Sequence, residues 1–107
     1  DKTADPGGRT PLLAAAWHGH HACVQALCEA GANVDQVNAR SDTPLMVAAH
    51  FGHYECIRTL ASWGAAVNHL GHRGFVPLIV ASLEGHIACV RLLSSLGGKR
   101  EVARPSW

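Results

Sequence analysis

Charge of one sign is scarce in this sequence. Its 107 residues carry nine Lys and Arg against eight Asp and Glu, a formal net charge of +1 with eight neutral His. Nucleic-acid binders need clustered cations that displace counterions from phosphates, so that class is not expected. Adhesion to an anionic membrane surface is disfavoured for the same reason. Long apolar runs are also missing, and none approaches the ~20 residues that cross a bilayer. There is no glycine-rich phosphate-cradling loop and no secretory signal. The chain opens on Asp1 rather than Met, which reads as a fragment of a longer protein. What is present is 48% hydrophobic residues against 16% charged. That balance argues for one folded domain with a modest core, not for disorder.

The second feature is an internal repeat. TPLLAAAWHGHHACVQALCEAGA from Thr10 aligns without a gap on TPLMVAAHFGHYECIRTLASWGA from Thr43 and VPLIVASLEGHIACVRLLSSLGG from Val76, at an offset of 33 residues each time. Eight columns are identical in all three rows, among them Pro11/Pro44/Pro77, Gly19/Gly52/Gly85, His20/His53/His86 and Cys23/Cys56/Cys89. Thr10 and Thr43 before Pro fit an N-cap and a first helical position. The Leu and Ala that follow recur at helical spacing. Gly19, Gly52 and Gly85 break the chain, and a second helix follows with Cys23, Val24 and Leu27 on one face. Gly31, Gly64 and Gly97 sit where a left-handed residue closes a helix.

The period, the TPL opening, the AA-x-x-GH centre and the GA-x-V ending resemble the ankyrin repeat over roughly residues 5 to 97,. The resemblance implies an all-α solenoid of stacked helix-turn-helix units with projecting hairpin loops. The units would be 5–37, 38–70 and 71–103, the last irregular after Gly97, between a lead-in at 1–4 and a tail at 104–107. The sequence departs from the family pattern in two places. Leu13, Met46 and Ile79 stand where His often follows TPL, and Val76 replaces the capping Thr. Unit one has little polar covering, so further repeats or another domain are expected on its N-terminal side.

The segment WHGHHACV, from Trp17 to Val24, concentrates metal-ligand types: His18, His20, His21 and Cys23. His20 and Cys23 nevertheless recur once per unit, so they serve the unit. The column His can bond neighbouring backbone. Stacked helices ~8–10 Å apart cannot bring three units' ligands to one ion at ~2.0–2.1 Å. Nor can Cα atoms beyond ~7 Å be joined by a disulfide. The Cys column, Cys23 included, is expected to be buried and inert. Cys28, five positions on, has no obvious partner. Free thiols suit a cytoplasmic or nuclear setting. His21 is expected to be a solvated surface residue. No acidic orienter is placed for a Cys–His nucleophile pair, so no catalytic residue, metal site or cofactor is assigned.

In a solenoid the repeated columns hold the fold and the varied columns meet partners. The resemblance assigns the hairpin tips and first-helix ends to the concave face. That face would carry Arg9, Arg40, Asp42, His72, Arg73 and Phe75 on the tips, and Trp17, His18, His50, Phe51, Leu83 and Glu84 on the helix ends. Ala39 belongs to a tip, and Val37 and Leu70 precede the tips. Aromatics and Arg dominate binding hot spots. The alternative is that Trp17, Phe51 and Phe75 fill the groove wall by packing on neighbouring units. Trp63 is expected to be partly buried near the end of the second helix. The resulting expectation is a non-catalytic protein-interaction module, monomeric or part of a longer adaptor, scaffold or substrate-recruiting chain. Its partner would be a peptide or folded protein, with an acidic or phosphorylated peptide or a peptide terminus suited to the Arg row. A methyl-lysine reader built from Trp17, Phe51 and Phe75 is the alternative site chemistry.

Overall fold

The computed structural model describes residues 8–98. These form α1 (Pro11–His18), α2 (His21–Glu29), α3 (Pro44–Phe51), α4 (Tyr54–Ser62), α5 (Pro77–Leu83) and α6 (Ile87–Ser95), with a 3-10 turn at His72–Gly74. No strand occurs among the described residues, and the architecture is all-α. The Gly97 irregularity, the lead-in at 1–4 and the tail at 104–107 fall wholly or largely outside them.

Local chemistry sets each helix start. Thr10 Oγ1 accepts the Leu13 N–H at 3.2 Å and Thr43 Oγ1 accepts the Met46 N–H at 3.3 Å. Pro occupies the first helical turn of α1, α3 and α5. Val76 provides no side-chain cap to α5, the consequence of losing the hydroxyl. Gly19 and Gly52 close α1 and α3 at φ +76 and +74.

The helices stack in two rows, α1–α3–α5 and α2–α4–α6, with each pair also packed within its unit. The middle helix α3 is buried from Pro44 through Ala49 because neighbours cover it on both sides. Leu45, Ile57, Leu60 and Leu93 have no exposed surface, and Ala48, Ala49 and Ala81 allow close approach between the rows. Each fully buried Leu or Ile contributes roughly 1.5–3 kcal/mol.

The recurring Gly–His pair joins one unit to the next. His53 Nε2–H donates to the Trp17 carbonyl at 3.0 Å, and His86 Nε2–H donates to the His50 carbonyl at 3.0 Å. Each ring lies on the preceding unit's glycine. A Cβ on Gly19 would come within 2.7 Å of the His53 ring, and one on Gly52 within 2.6 Å of the His86 ring. These glycines are therefore required twice, by their left-handed φ and by the ring above them. The column His bonds backbone as expected, but the backbone belongs to the neighbouring unit.

One sequence expectation is corrected. Cys56 and Cys89 are buried, but Cys23 is exposed. The exposed member of the column is the one in unit one, which no described unit precedes. Cys28, five positions on in α2, is buried.

Candidate functional site

The hairpins between units place the tip residues. In the first, the Asn38 N–H donates to the Asp42 carbonyl at 3.0 Å. The Asn38 side-chain oxygen accepts the Arg40 and Asp42 N–H groups at 2.8 and 3.1 Å. Asn is suited to this local bonding. Ser41 takes φ +68. The second hairpin repeats the pairing, from the Gly71 N–H to the Phe75 carbonyl at 3.0 Å. There Arg73 and Gly74 are both left-handed, at φ +70 and +71. The Gly74 N–H donates to the Gly71 carbonyl at 3.0 Å, closing a turn whose third residue is the left-handed Arg73,.

The two tips are tied together. The Asp42 carboxylate accepts the His72 Nδ1–H at 3.1 Å from both oxygens and lies 3.4 Å from the His72 N–H. Its side chain is only 13% exposed. Gly71 makes this possible, since any Cβ there would strike that carboxylate and the Met46 thioether. The His69 Nε2–H adds a bond to the Ser41 carbonyl at 2.8 Å.

Below the tips lies a groove of about 570 Å³. Eleven of the twelve sequence-assigned partner-facing residues line it: Arg9, Trp17, Arg40, Asp42, His50, Phe51, His72, Arg73, Phe75, Leu83 and Glu84. Ala39 joins them. His18 does not; it is exposed outside the groove and stacks on His20 at 5.9 Å. Val37 and Leu70 are likewise outside the lining. Sequence reading missed the groove's Leu13, Met46, Val47 and Val80, and Asn38 at the hairpin base. Leu13 and Met46 had a signal, being apolar where the family pattern often has His. Val47 and Val80 vary in the column of Ala14.

The first-helix ends form an aromatic wall. Trp17 and Phe51 pack at 4.6 Å between ring centroids with a 52° tilt, and His50 meets Phe51 edge-on at 4.6 Å. Such tilted and edge contacts are favourable geometries for rings. Trp17 and Phe51 remain 43% and 36% exposed, and Leu83 is 64% exposed. Trp17 and Phe51 touch directly, so their faces do not oppose each other across a cation-sized gap. His50 Nδ1 lies 3.7 Å from Glu84 in an open setting, a contact worth little alone,.

The remaining candidates lie apart. Trp63 is 41% exposed, and its Nε1–H donates to Gln25 Oε1 of the preceding unit at 3.0 Å. His21 is exposed. Among the described residues no group of three or more His, Cys, Asp or Glu could hold a metal ion. Burial pushes the Cys28 and Cys89 thiols up from their ordinary value. Burial, aided by the Glu55 carboxylate, pushes Cys56 up to about 11. Those three thiols are held away from the nucleophilic thiolate form.

Known proteins show the same construction. A family model described as ankyrin repeats, in three copies, matches residues 1–71 and 31–102. The crystal structure of the human ASB11 ankyrin repeat domain superposes with a TM-score of 0.83 at 34% sequence identity, over 89% of this chain. The present chain spans 43% of that one. No curated protein sequence gives a significant match. The 33-residue units, the stacked helix pairs, the family match and the superposition converge: the chain belongs to the ankyrin repeat family.

Proposed function

We propose that this chain is a non-catalytic recognition module that binds a segment of a protein partner in its concave groove. Ankyrin repeats are generally protein–protein interaction modules, and the groove supplies a specific place for contact. The observation that carries this reading is the convergence of exposed Trp17, Phe51 and Leu83 with Arg40 and Arg73 around one cavity. Aromatic and Arg side chains around a concavity are the usual anchors of an interface. Units over 5–37, 38–70 and 71–103 provide the scaffold, and the module serves as part of a larger adaptor, scaffold or substrate-recruiting protein. The cytoplasm or nucleus suits its free thiols,. No helix among the described residues is long and apolar enough to cross a membrane.

The test is a selection of random displayed peptides against the folded chain, with each enriched peptide then measured on Phe51→Ala. Phe51 touches both Trp17 and His50, so its removal opens the wall without emptying the core. Enriched peptides should bind the wild type and lose most of their affinity for the variant. Peptides that bind both proteins equally would place recognition elsewhere on the surface.

A further inference from the structure

The charges around the groove are unevenly satisfied. Both carboxylates have a histidine neighbour from the adjoining unit, Asp42 with His72 and Glu84 with His50. Arg40 and Arg73 are exposed on successive tips, and neither forms an ion pair among the described residues. Arg73 is held there in a left-handed conformation that disfavours any residue with a Cβ,. One edge of the groove therefore presents two exposed guanidinium groups outside any ion pair of the described residues, while the wall of Trp17, Phe51 and Leu83 is apolar and exposed.

The spacing narrows the ligand. Neighbouring units stack at ~8–10 Å. A polyproline II segment advances ~3.1 Å per residue with three residues per turn, so positions i and i+3 lie on one side ~9 Å apart. A β-strand turns positions i and i+3 to opposite faces. Resting on the groove reading above, we infer that the occupant is an extended acidic peptide. Its carboxylates, three residues apart, pair with Arg40 and Arg73, and an intervening apolar side chain lies on the Trp17–Phe51–Leu83 wall. Guanidinium groups suit this task because they accept a carboxylate in a two-bond fork.

The experiment uses fluorescein-labelled peptides built around Glu-Leu-Pro-Glu, with Gln-Leu-Pro-Gln, Lys-Leu-Pro-Lys and Glu-Leu-Glu as comparators. Anisotropy is measured on wild type, Phe51→Ala and the double variant Arg40→Glu/Arg73→Glu. Circular dichroism establishes that the variants fold, and Arg40→Gln/Arg73→Gln serves as a milder pair. The Glu-Leu-Pro-Glu peptide should bind best and weaken with salt. It should bind about tenfold or more worse to the charge-reversed protein, which should instead gain the Lys peptide. If the displayed peptides depend on Phe51 but carry no acids and ignore both arginines, this inference falls while the groove reading stands. If no peptide depends on Phe51, both fall together.

Discussion

Native thiol reactivity gives a quantitative check on the stack. Cys23 is exposed, while Cys28, Cys56 and Cys89 are 4%, 1% and 2% exposed. An aromatic disulfide reagent added to the folded chain should therefore consume one thiol per molecule quickly. The other three react only when the structure opens. If opening costs ~5 kcal/mol, at the low end for a domain, their rates fall by roughly three to four powers of ten. Stability should also respond to alkali. The Cys56 thiol is raised from 9.0 to about 11, so above pH 9 the unfolded chain loses that proton first,. Stabilisation is intact below pH 9 and falls between pH 9 and about 11. At ~1.4 kcal/mol per pKa unit, the loss from Cys56 approaches about 2–3 kcal/mol,. Cys28 and Cys89 add loss of the same sign. The assay is stopped-flow titration at pH 8, with mass spectrometry to identify the labelled residue, and urea melts from pH 7 to 11. Two or more fast thiols, or a protected Cys23, would refute the burial of three thiols and the exposure of the fourth.

Other perturbations test other joints. His86→Ala should cost about 1 kcal/mol in urea denaturation, from loss of its bond to the His50 carbonyl, whereas His20→Ala should cost less than about 0.5,. Gly52→Ala and Gly85→Ala both strain a positive φ, but only the first meets a ring. Gly52→Ala should lower the melting temperature clearly more, because nothing lies within 4 Å of a Cβ on Gly85. Val76→Thr should stabilise α5 by up to ~1 kcal/mol if the new hydroxyl caps as Thr43 does,. Arg73→Gly should leave stability unchanged or raise it by up to ~1 kcal/mol, measured by calorimetry, since it relieves a left-handed arginine,.

The features legible in the sequence were those that repeat. Pro11, Pro44 and Pro77, the capping threonines and the unit-closing glycines each obey a local rule, and the helices begin and end where those rules place them. The varied columns were informative in another way: Trp17, Phe51 and Leu83 share one column neighbourhood and one wall. Relations between units were less legible. The uniformity of its column assigns Cys23 to the core, yet it is exposed where Cys56 and Cys89 are buried. The partners of His53 and His86 lie 36 residues back. Asp42 and His72 are 30 residues apart, and only the paired hairpins bring them together. Val47 and Val80 line the groove without any sequence signal beyond a varied apolar column. His18 fails to join although Phe51 and Glu84 of its own column do; its ring stacks on His20 instead.

The most direct measurement of the groove's role is a nitrogen–proton spectrum of the labelled chain titrated with a selected peptide, read at the tryptophan indole signals. Trp17 lines the groove and Trp63 is tied to Gln25 on the second-helix row. The account predicts that Trp17 shifts progressively with peptide while Trp63 stays in place. Movement of Trp63 with an unperturbed Trp17 would contradict it and move recognition to the second-helix face.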